Sequence, residues 1–427
     1  MIATQIVVVG AGPAGLAAAS EARASGARTL LIEERPGLGG RAMIVPGARG
    51  LTEGLMRDLG GVEVWRTALV WGLFGHRLAV LRGERTETVE ADAIILATGA
   101  REILLPFPGW TLDGIVTLEA GWEAVRSGRI GSAAGPVIVA GGVEGGALAS
   151  RLSERGAKVA FLAHERPGSL KDSVPHLAGN LAAAQGTGAV ERIVLVDGTE
   201  HECRTLCVES PRAPAVELAR QAGCPCIYEP LLGGFVPRYD PTMALHGPLP
   251  RLYAAGDAAG VDSPRAAAES GRLAARCALH ELGLLADAEQ RVEESRRRLA
   301  ATSFPLHARA REALQAGATP DDVFLRQDTP PEVVMCPCES VTAGELRAAL
   351  EEGAATPEDL GWWTRCGRGP CQWRRCGIPV MRWLSATLGV PIGRLPQPRA
   401  RPPARPVPLS ALAVDDTPGA MSSEGHA

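Results

Sequence analysis

The N-terminal pattern of apolar and polar positions predicts a βαβ unit. A short apolar run, IVVVG, is followed by the alanine-rich segment AGPAGLAAASEARASG and then by a second apolar run, ARTLLIEE. Short apolar runs bounded by glycine are typical of buried strands, and the segment between them has a helical composition. A second pattern of this kind starts at Pro136 with PVIVAGG, VEGGALASRLSERG and AKVAFLA. The sequence therefore predicts two nucleotide-binding units in one chain.

Further along the chain, three apolar segments predict strands that return to the two sheets. They are ADAIILATGA at 91–100, ERIVLVDG at 191–198 and RLYAAGD at 251–257. A helical pattern from about Arg265 to Leu314 and a polar connector then lead to a cysteine-rich segment. We expect an α/β fold with two Rossmann-like domains, the second shortened, and a small C-terminal helical domain. The expected domains are 1–110 with 236–315, then 111–235, then 330–395, and finally a proline-rich tail at 396–427.

Composition narrows the possible partners. The 427 residues are 46% hydrophobic and carry a net charge of −4, with no basic stripe that would attract a nucleic acid. The apolar opening is too short to span a bilayer and lacks the features of a secretory signal, so we expect a cytoplasmic protein without a transmembrane segment. Because the cytosol keeps thiols reduced, the ten cysteines indicate metal or redox chemistry rather than disulfides.

The first glycine turn has the pattern of a dinucleotide-binding motif. Gly10, Gly12 and Gly15, with Pro13 and Ala14 between them, follow a predicted strand and open a predicted helix. The first glycine permits a tight turn, the second allows the backbone to approach a pyrophosphate, and the third allows close helix packing. The helix N-terminus supplies amide donors and a positive dipole, so an anion is expected there.

Two nearby features extend this predicted site. Glu33 ends the second strand, where its carboxylate could accept hydrogen bonds from a ribose diol and would repel a 2′-phosphate. The alternative is that Glu33 is a solvated strand end. Gly40 and Arg41 follow closely and suggest a second backbone approach to the cofactor, although Arg41 could equally belong to a plain surface loop.

Two later segments distinguish FAD from NAD. Ala97, Thr98 and Gly99, and the pair Gly256 and Asp257, resemble the second and third FAD motifs of the two-dinucleotide-binding-domain flavoproteins, the superfamily of thioredoxin reductase and glutathione reductase. The resemblance implies that the chain binds FAD in its first and discontinuous domain, with Gly256 and Asp257 near the ribityl and pyrophosphate groups. Alternatively, Asp257 caps the helix that follows. Disulfide reductases of this superfamily need a C-x-x-C or similar pair, and no C-x-x-C occurs in the chain.

The second unit has an altered motif. It reads GGVEGG at 141–146, and we interpret Val143 as standing in the place of the middle glycine, where its side chain would obstruct a pyrophosphate. The unit also has little room for a full α/β repeat. We interpret it as a degenerate NAD-type domain, with a working nicotinamide site as the alternative.

The cysteine-rich segment contains two pairs of potential metal ligands. Cys336 and Cys338 form a C-x-C pair, and after 32 residues Cys371 and Cys376 form a C-x4-C pair. Four thiolates can hold zinc or an iron–sulfur cluster. The segment resembles the bacterioferritin-associated-ferredoxin-like (BFD-like) [2Fe-2S] domain, which implies that these four cysteines are cluster ligands. Cys366 lies outside this pattern, and we interpret it as a packed thiol, the other possibility being an alternative ligand.

The chain as a whole resembles the α subunits of bacterial multi-subunit amino-acid dehydrogenases and oxidases. This group includes proline and hydroxyproline dehydrogenases, octopine and nopaline oxidases and hydrogen cyanide synthase. The resemblance implies an electron-transfer subunit with FAD and a [2Fe-2S] cluster. It also implies two partners, namely an amine-oxidising flavoprotein β subunit and a small ferredoxin-like [2Fe-2S] subunit. The alternative is a self-sufficient NAD(P)H:acceptor flavin oxidoreductase. No side chain near the motifs suggests itself as a catalytic base.

Overall fold

The computed structural model describes residues 2–44, 47–103, 105–130, 135–230, 232–261, 263–302 and 329–412. The strands within these residues are β1 Ile2–Val9, β2 Thr29–Ile32, β3 Glu63–Trp65, β4 Ala68–Phe74, β5 Arg77–Arg82, β6 Arg85–Leu96, β7 Ala100–Glu102, β8 Ile115–Thr117, β9 Val137–Ala140, β10 Val159–Ala163, β11 His176–Ala178, β12 Leu181–Gln185, β13 Arg192–Leu195, β14 Glu200–Glu202, β15 Thr205–Val208, β16 Arg212–Pro214, β17 Cys226–Glu229, β18 Gly234–Pro237, β19 Leu252–Ala254, β20 Val334–Cys336 and β21 Val341–Thr342. The α-helices are α1 Pro13–Ala24, α2 Arg49–Arg57, α3 Leu118–Arg126, α4 Val143–Glu154, α5 Glu217–Gln221, α6 Pro264–Glu281, α7 Ala288–Thr302, α8 Ala343–Glu351, α9 Pro357–Thr364 and α10 Gly377–Leu388.

The first sheet has seven described strands, β1 to β6 and the later strand β19. Its parallel part runs in the order β3-β2-β1-β6-β19, and β5 and β4 continue from the first half of β6 as an antiparallel extension. The apolar run Ile6 to Val9 is buried on both faces of this sheet, as expected for a central parallel strand. The predicted strands at 91–100 and 251–257 are therefore β6 and β19 of one sheet.

Helices α1 and α6 pack against this sheet and hold its loops in position. α1 follows β1, and α6 packs against α1 so closely that a Cβ at Gly271 would lie 2.0 Å from the carbonyl oxygen of Ala14. The turn after β19 passes over the same place, because a Cβ at Gly256 would lie 2.8 Å from the Cβ of Ala14. The turn that contains Gly256 and Asp257 is thus held against the N-terminus of α1.

The second sheet repeats the first in a shortened form. Its described strands are all parallel and run in the order β11-β10-β9-β15-β8. In the first unit α2 lies between β2 and β3, whereas residues 164–175, between β10 and β11, contain no helix. The prediction for 191–198 was wrong in one respect: β13 belongs to a separate antiparallel sheet, β12-β13-β14. The two-domain α/β fold with a shortened second unit is confirmed.

The cysteine-rich segment forms a small structure with its own core. A β20-β21 hairpin leads into α8, which begins with a capping box: Thr342 accepts from the amide of Glu345, and the Glu345 carboxylate accepts from the amide of Thr342. α8, α9 and α10 surround a core that includes Leu346, Leu360 and Trp383. The predicted connector and the end of the predicted helical pattern, at 303–328, lie outside the described residues.

The proline-rich tail returns from α10 to the first sheet. The amide of Ala404 donates to the carbonyl of Trp71 in β4 at 2.5 Å, and Thr86 in β6 donates to the carbonyl of Ala411 at 2.6 Å. Ala404 is buried in the core of the first sheet. The tail therefore joins the cysteine segment to the nucleotide-binding unit.

Among the described helices, none has both the length and the apolar character needed to cross a lipid bilayer.

Candidate functional site

A cavity of about 460 Å³ lies at the carboxyl ends of β1, β2 and β6. Open α/β sheets bind their ligands at this edge. The residues predicted from the sequence that line it are Gly10, Gly12, Pro13, Ala14, Glu33, Gly40, Arg41, Ala97, Thr98, Gly99, Gly256 and Asp257. Gly15, which was also predicted, lies behind the lining, and a Cβ there would be 1.8 Å from the carbonyl oxygen of Gly10. The structure thus brings the three motifs to one cavity.

The space in front of α1 fits a pyrophosphate. Gly12 is the N-cap of α1, and a Cβ built on Gly12 would meet no protein atom within 4 Å. Gly40 lies alongside, since a Cβ on it would be 3.2 Å from the Cα of Gly12. An anion at this point would face the free amides and positive dipole of the helix N-terminus. Both glycines therefore leave room for a ligand that approaches the backbone.

Glu33 is buried in the wall of this cavity, just after the end of β2. Its carboxylate accepts hydrogen bonds from the amide of Ala11 at 2.7 Å and from the amide of Arg35 at 2.8 Å. The side chain is almost fully buried, so the alternative of a solvated strand end is wrong. Burial raises the pKa of Glu33 above its ordinary value of 4.5, and the two amide hydrogen bonds oppose that rise.

Ion pairs surround the cavity, and every arginine that lines it has a carboxylate partner. The pairs are Arg35 with Glu119, Arg41 with Glu144, Arg101 with Glu217, Arg212 with Asp257, and Arg405 with Glu34. Such pairing holds the side chains in place against the walls of the cavity. Arg41 joins the two units, because Glu144 lies in the first turn of α4.

Asp257 does not cap the next helix. The N-cap of α6 is Ser263, whose hydroxyl accepts from the amide of Ala266 at 3.2 Å. Asp257 instead accepts from Arg212 at 3.2 Å and lines the cavity. The capping alternative is therefore wrong for this residue.

The interpretation of Val143 is also wrong. The N-cap of α4 is Gly142, just as the N-cap of α1 is Gly12, so Gly142 and not Val143 corresponds to the middle glycine. Val143 is the first residue of the helix, where the first unit has Pro13, and it is 67% exposed. The turn between β9 and α4 is one residue shorter than the turn between β1 and α1.

Five cysteines gather in the C-terminal segment. The sulfur atoms of Cys336, Cys366 and Cys376 all lie within 4.8 Å of one another, and all three residues are buried. The thiols of Cys376 and Cys338 lie near enough to Cys371 to influence its pKa. The four predicted ligands are thus brought together, and Cys366 joins them.

The donor set fits a thiolate-bound metal centre. Hydrogen bonds from Cys366 and Cys376 hold the pKa of Cys336 well below the ordinary thiol value, and the amide of Gly367 donates to the Cys336 sulfur at 3.4 Å. A hydrogen bond from Cys376 likewise lowers the pKa of Cys371. Thiolates are the form of cysteine that binds zinc and iron–sulfur clusters. The spacing left Cys366 outside the two predicted pairs, and the fold brings it beside Cys336 as well as the nearby Cys376.

The remaining cysteines behave as buried apolar residues. Burial raises the pKa of each of them, and none belongs to a group of metal-ligating side chains among the described residues: Cys203, Cys207, Cys224, Cys226 and Cys277. High thiol pKa values disfavour metal binding and nucleophilic chemistry. This environment is typical of free cysteines that pack as small hydrophobic side chains.

A direct contact connects the cavity with the cysteine group. Arg101 lines the cavity, and its Nε donates to the backbone carbonyl of Arg374 at 3.1 Å. Arg374 lies between Cys371 and Cys376 and donates to the carbonyl of Cys371 at 2.9 Å. The cavity and the cysteine loop therefore share a wall.

The tail completes this wall. A second nitrogen of Arg374 donates to the carbonyl of Pro403 at 2.5 Å. The next two residues, Ala404 and Arg405, line the cavity. The structure thus places two residues of the predicted proline-rich tail in the cavity wall.

Comparisons with known proteins agree with this architecture. The hydrogen cyanide synthase subunit HcnB of Pseudomonas aeruginosa is 30% identical over 95% of this chain and 97% of its own length. The A subunit of the opine oxidase of Agrobacterium tumefaciens is 29% identical over 96% of this chain and 91% of its own length.

Solved structures show the same fold. The L-proline dehydrogenase from P. horikoshii superimposes with a TM-score of 0.77 at 22% identity, covering 97% of this chain and 80% of that one. The thioredoxin reductase of Lactococcus lactis gives a TM-score of 0.53 at 22% identity over 66% of this chain and all of its own. The sequence also matches the pyridine nucleotide-disulphide oxidoreductase family over residues 4–274. Because this match spans more than half of the chain, the protein belongs to the pyridine nucleotide-disulphide oxidoreductase family and is a flavin oxidoreductase.

Proposed function

We propose that the chain is the FAD and [2Fe-2S] electron-transfer subunit of a multi-subunit amino-acid or amine dehydrogenase. The observation that carries this proposal is the contact between Arg101 of the cavity and Arg374 of the cysteine loop, at 3.1 Å. Since the two sites share a wall, centres bound in them would be close enough for electrons to pass between them. Bound flavin would exchange electron pairs, and a bound cluster would exchange single electrons.

The names of the relatives support a role within a larger assembly. HcnB and the opine oxidase relative are both named as subunits, and a sarcosine oxidase α subunit of Corynebacterium is 28% identical over 55% of this chain. We propose that the partner that takes electrons from the substrate is an amine-oxidising flavoprotein β subunit. The substrate class is a proline, hydroxyproline, opine or glycine type of amine, and a small ferredoxin-like subunit is a further proposed partner.

The lining of the cavity argues against disulfide reduction. Disulfide reductases of this fold need a cysteine pair beside the flavin. Among the described residues that line the cavity, none is a cysteine. The chain's own residues hold the flavin and connect it to the cysteine group, and the substrate chemistry belongs to the partner.

The proposed domains follow this division of roles. We propose that 1–110 and 236–315 hold FAD, that 111–235 is a degenerate NAD-type domain, that 330–395 is the BFD-like [2Fe-2S] domain, and that 396–427 is the tail. The proposed cluster ligands are Cys336, Cys338, Cys371 and Cys376, and the proposed localisation is cytoplasmic.

An anaerobic absorption spectrum tests the proposal against a self-sufficient NAD(P)H oxidoreductase. The flavin-loaded chain, mixed with excess NADH or NADPH, is expected to keep its flavin absorption over minutes. Dithionite is expected to bleach the same sample at once. Rapid bleaching by either nicotinamide nucleotide would contradict the proposal and support the rival function.

FAD affinity is expected to depend on the protonation of Glu33. Above the pKa of Glu33 its carboxylate can accept charge-assisted hydrogen bonds from the ribose diol, and protonation at lower pH removes the charge and turns one oxygen into a donor, which weakens this interaction. Affinity should therefore be full at neutral pH and fall as the pH is lowered through a midpoint above 4.5, because burial raises this pKa. Flavin fluorescence titrations at several pH values measure the midpoint.

Glu33→Gln is the control for this profile. The amide cannot titrate, so the variant should bind FAD more weakly at neutral pH and lose this transition. An unchanged transition in Glu33→Gln would assign it to another group and refute the role of Glu33.

The tail is expected to contribute to flavin binding. A chain that ends at Leu395 lacks Ala404 and Arg405, which opens the cavity wall and removes a cation from it. We expect FAD affinity to fall by about tenfold or more, equivalent to ~1.4 kcal/mol. Equilibrium dialysis with FAD measures the loss, and a chain that ends at Leu412, which keeps the contact of Ala411 with Thr86, is the matched control. Equal FAD affinity in the two chains would show that the tail is not part of the site.

A further inference from the structure

The two nucleotide-binding units can be aligned through their backbone hydrogen bonds. In the first unit, the amide of Ala97 donates to the carbonyl of Val9 at 2.8 Å, at the point where β6 ends beside β1. In the second unit, the amide of Glu209 donates to the carbonyl of Ala140 at 2.8 Å, where β15 ends beside β9. Glu209 therefore occupies in the second unit the position that Ala97 occupies in the first.

The carboxylate of Glu209 reaches the N-terminus of α4. One of its oxygens accepts hydrogen bonds from the amide of Gly142 at 2.7 Å and from the amide of Gly145 at 2.8 Å. These two glycines correspond to Gly12, the N-cap of α1 that lines the cavity of the first unit, and to Gly15, the third residue of that helix. The carboxylate thus lies where the first unit has space for a pyrophosphate, and it bears the same sign of charge.

The position that corresponds to Glu33 is altered in the second unit as well. Leu162 pairs with Ala140 as Ile32 pairs with Val9, so the residue equivalent to Glu33 is Ala163, which has no carboxylate for a ribose. A nearby loop also packs on the first turn of α4. The hydroxyl of Ser169 donates to the carbonyl of Val143 at 2.6 Å in that packing.

We infer that Glu209 substitutes for the phosphate of a nucleotide and closes the second unit to NAD(P)H. Glu209 is thus a specificity-determining residue: its carboxylate satisfies the amides that a pyrophosphate would need, and its charge repels one. Without a nicotinamide site in this unit, electrons enter the chain from another protein. The inference concerns the second unit alone and does not depend on whether the first unit binds FAD.

The test counts binding sites for inorganic pyrophosphate, which requires only the helix amides. Isothermal titration calorimetry on the full chain compares the wild type with Glu209→Ala. We expect the variant to bind one more pyrophosphate than the wild type, with affinity for this site increased at least tenfold. The number of pyrophosphate sites in Glu209→Ala exceeds that in the wild type by one whether or not FAD fills the first unit. Failure of the FAD assignment would instead appear as additional pyrophosphate binding in both the wild type and the variant.

Two further variants test whether pyrophosphate is excluded because the Glu209 side chain occupies the site or because of the net charge of the chain. Glu209→Gln retains a side-chain oxygen that can accept from the amides and should remain closed to pyrophosphate. Glu154→Ala removes one negative charge from the last turn of the same helix and should gain no site. A thermal unfolding scan establishes that each variant is folded. Equal pyrophosphate stoichiometry in the folded wild type and Glu209→Ala, or saturable NADH binding by the wild type at the second unit, would overturn the inference.

Discussion

Replacing Cys371 with serine is expected to remove the iron from the chain and leave the flavin in place. The thiols of Cys376 and Cys338 lie near Cys371, and the interaction with Cys376 lowers the pKa of Cys371. A [2Fe-2S] cluster needs four thiolates, and serine is a much poorer ligand for iron than a thiolate at neutral pH. We expect the iron content to fall from about two per chain to near zero, together with the broad iron–sulfur absorption.

Cys226→Ser is the matched control for this variant. Cys226 is also half-buried, but burial raises its pKa and its sulfur lies outside the cysteine group. Iron analysis and an absorption spectrum of both purified variants make the comparison. Equal iron in the two variants, or zinc in place of iron in the wild type, would contradict the cluster assignment.

If the four predicted cysteines are the ligands, Cys366→Ser also keeps its iron.

Gly12→Val is expected to abolish FAD binding without unfolding the protein. Gly12 has φ −72° and ψ −178°, a conformation that valine adopts readily, and no protein atom lies within 4 Å of the position of its Cβ. The side chain would instead fill the space in front of α1. Loss of the charge-assisted hydrogen bonds to a pyrophosphate costs about 1.5–3 kcal/mol each, so FAD affinity should fall at least about 100-fold.

Gly50→Val supplies the matched control. Gly50 is an exposed glycine in α2 that likewise has no neighbour within 4 Å, and it does not line the cavity. Flavin occupancy after purification and a thermal unfolding scan should show a folded, flavin-free Gly12→Val and a folded, flavin-loaded Gly50→Val. A Gly12→Val variant that retains its flavin would mean that the cofactor does not approach this turn.

Local patterns predicted the first unit well because its signals are contained in short segments. The strand, glycine turn and helix around Gly10 and Gly12 form as expected, and the capping box of Thr342 and Glu345 is present. Each of these features depends on residues a few positions apart, which fix the backbone locally.

Sequence reasoning missed one local feature, a turn length, and two features that depend on distant contacts. Val143 was misplaced because the turn before α4 is one residue shorter, which a comparison of glycine spacing alone does not reveal. Glu209 follows a strand 67 residues beyond Gly142, and only the strand order brings its carboxylate to that amide. Ala404 joins the cavity wall through a tail that crosses from another part of the fold. Contacts between residues that are far apart in the sequence therefore determine the carboxylate site of the second unit and the composition of the cavity wall.

The most direct test of the relay follows electrons within a single chain. Under anaerobic conditions, the flavin-loaded and iron-loaded protein is photoreduced with limiting electrons, and absorption and low-temperature EPR spectra are recorded beside those of Cys371→Ser. The account predicts that the EPR signal of a reduced [2Fe-2S] cluster appears along with flavin reduction in the wild type and is absent in the variant. Complete flavin reduction with unchanged iron–sulfur absorption and no such signal in the wild type would contradict it.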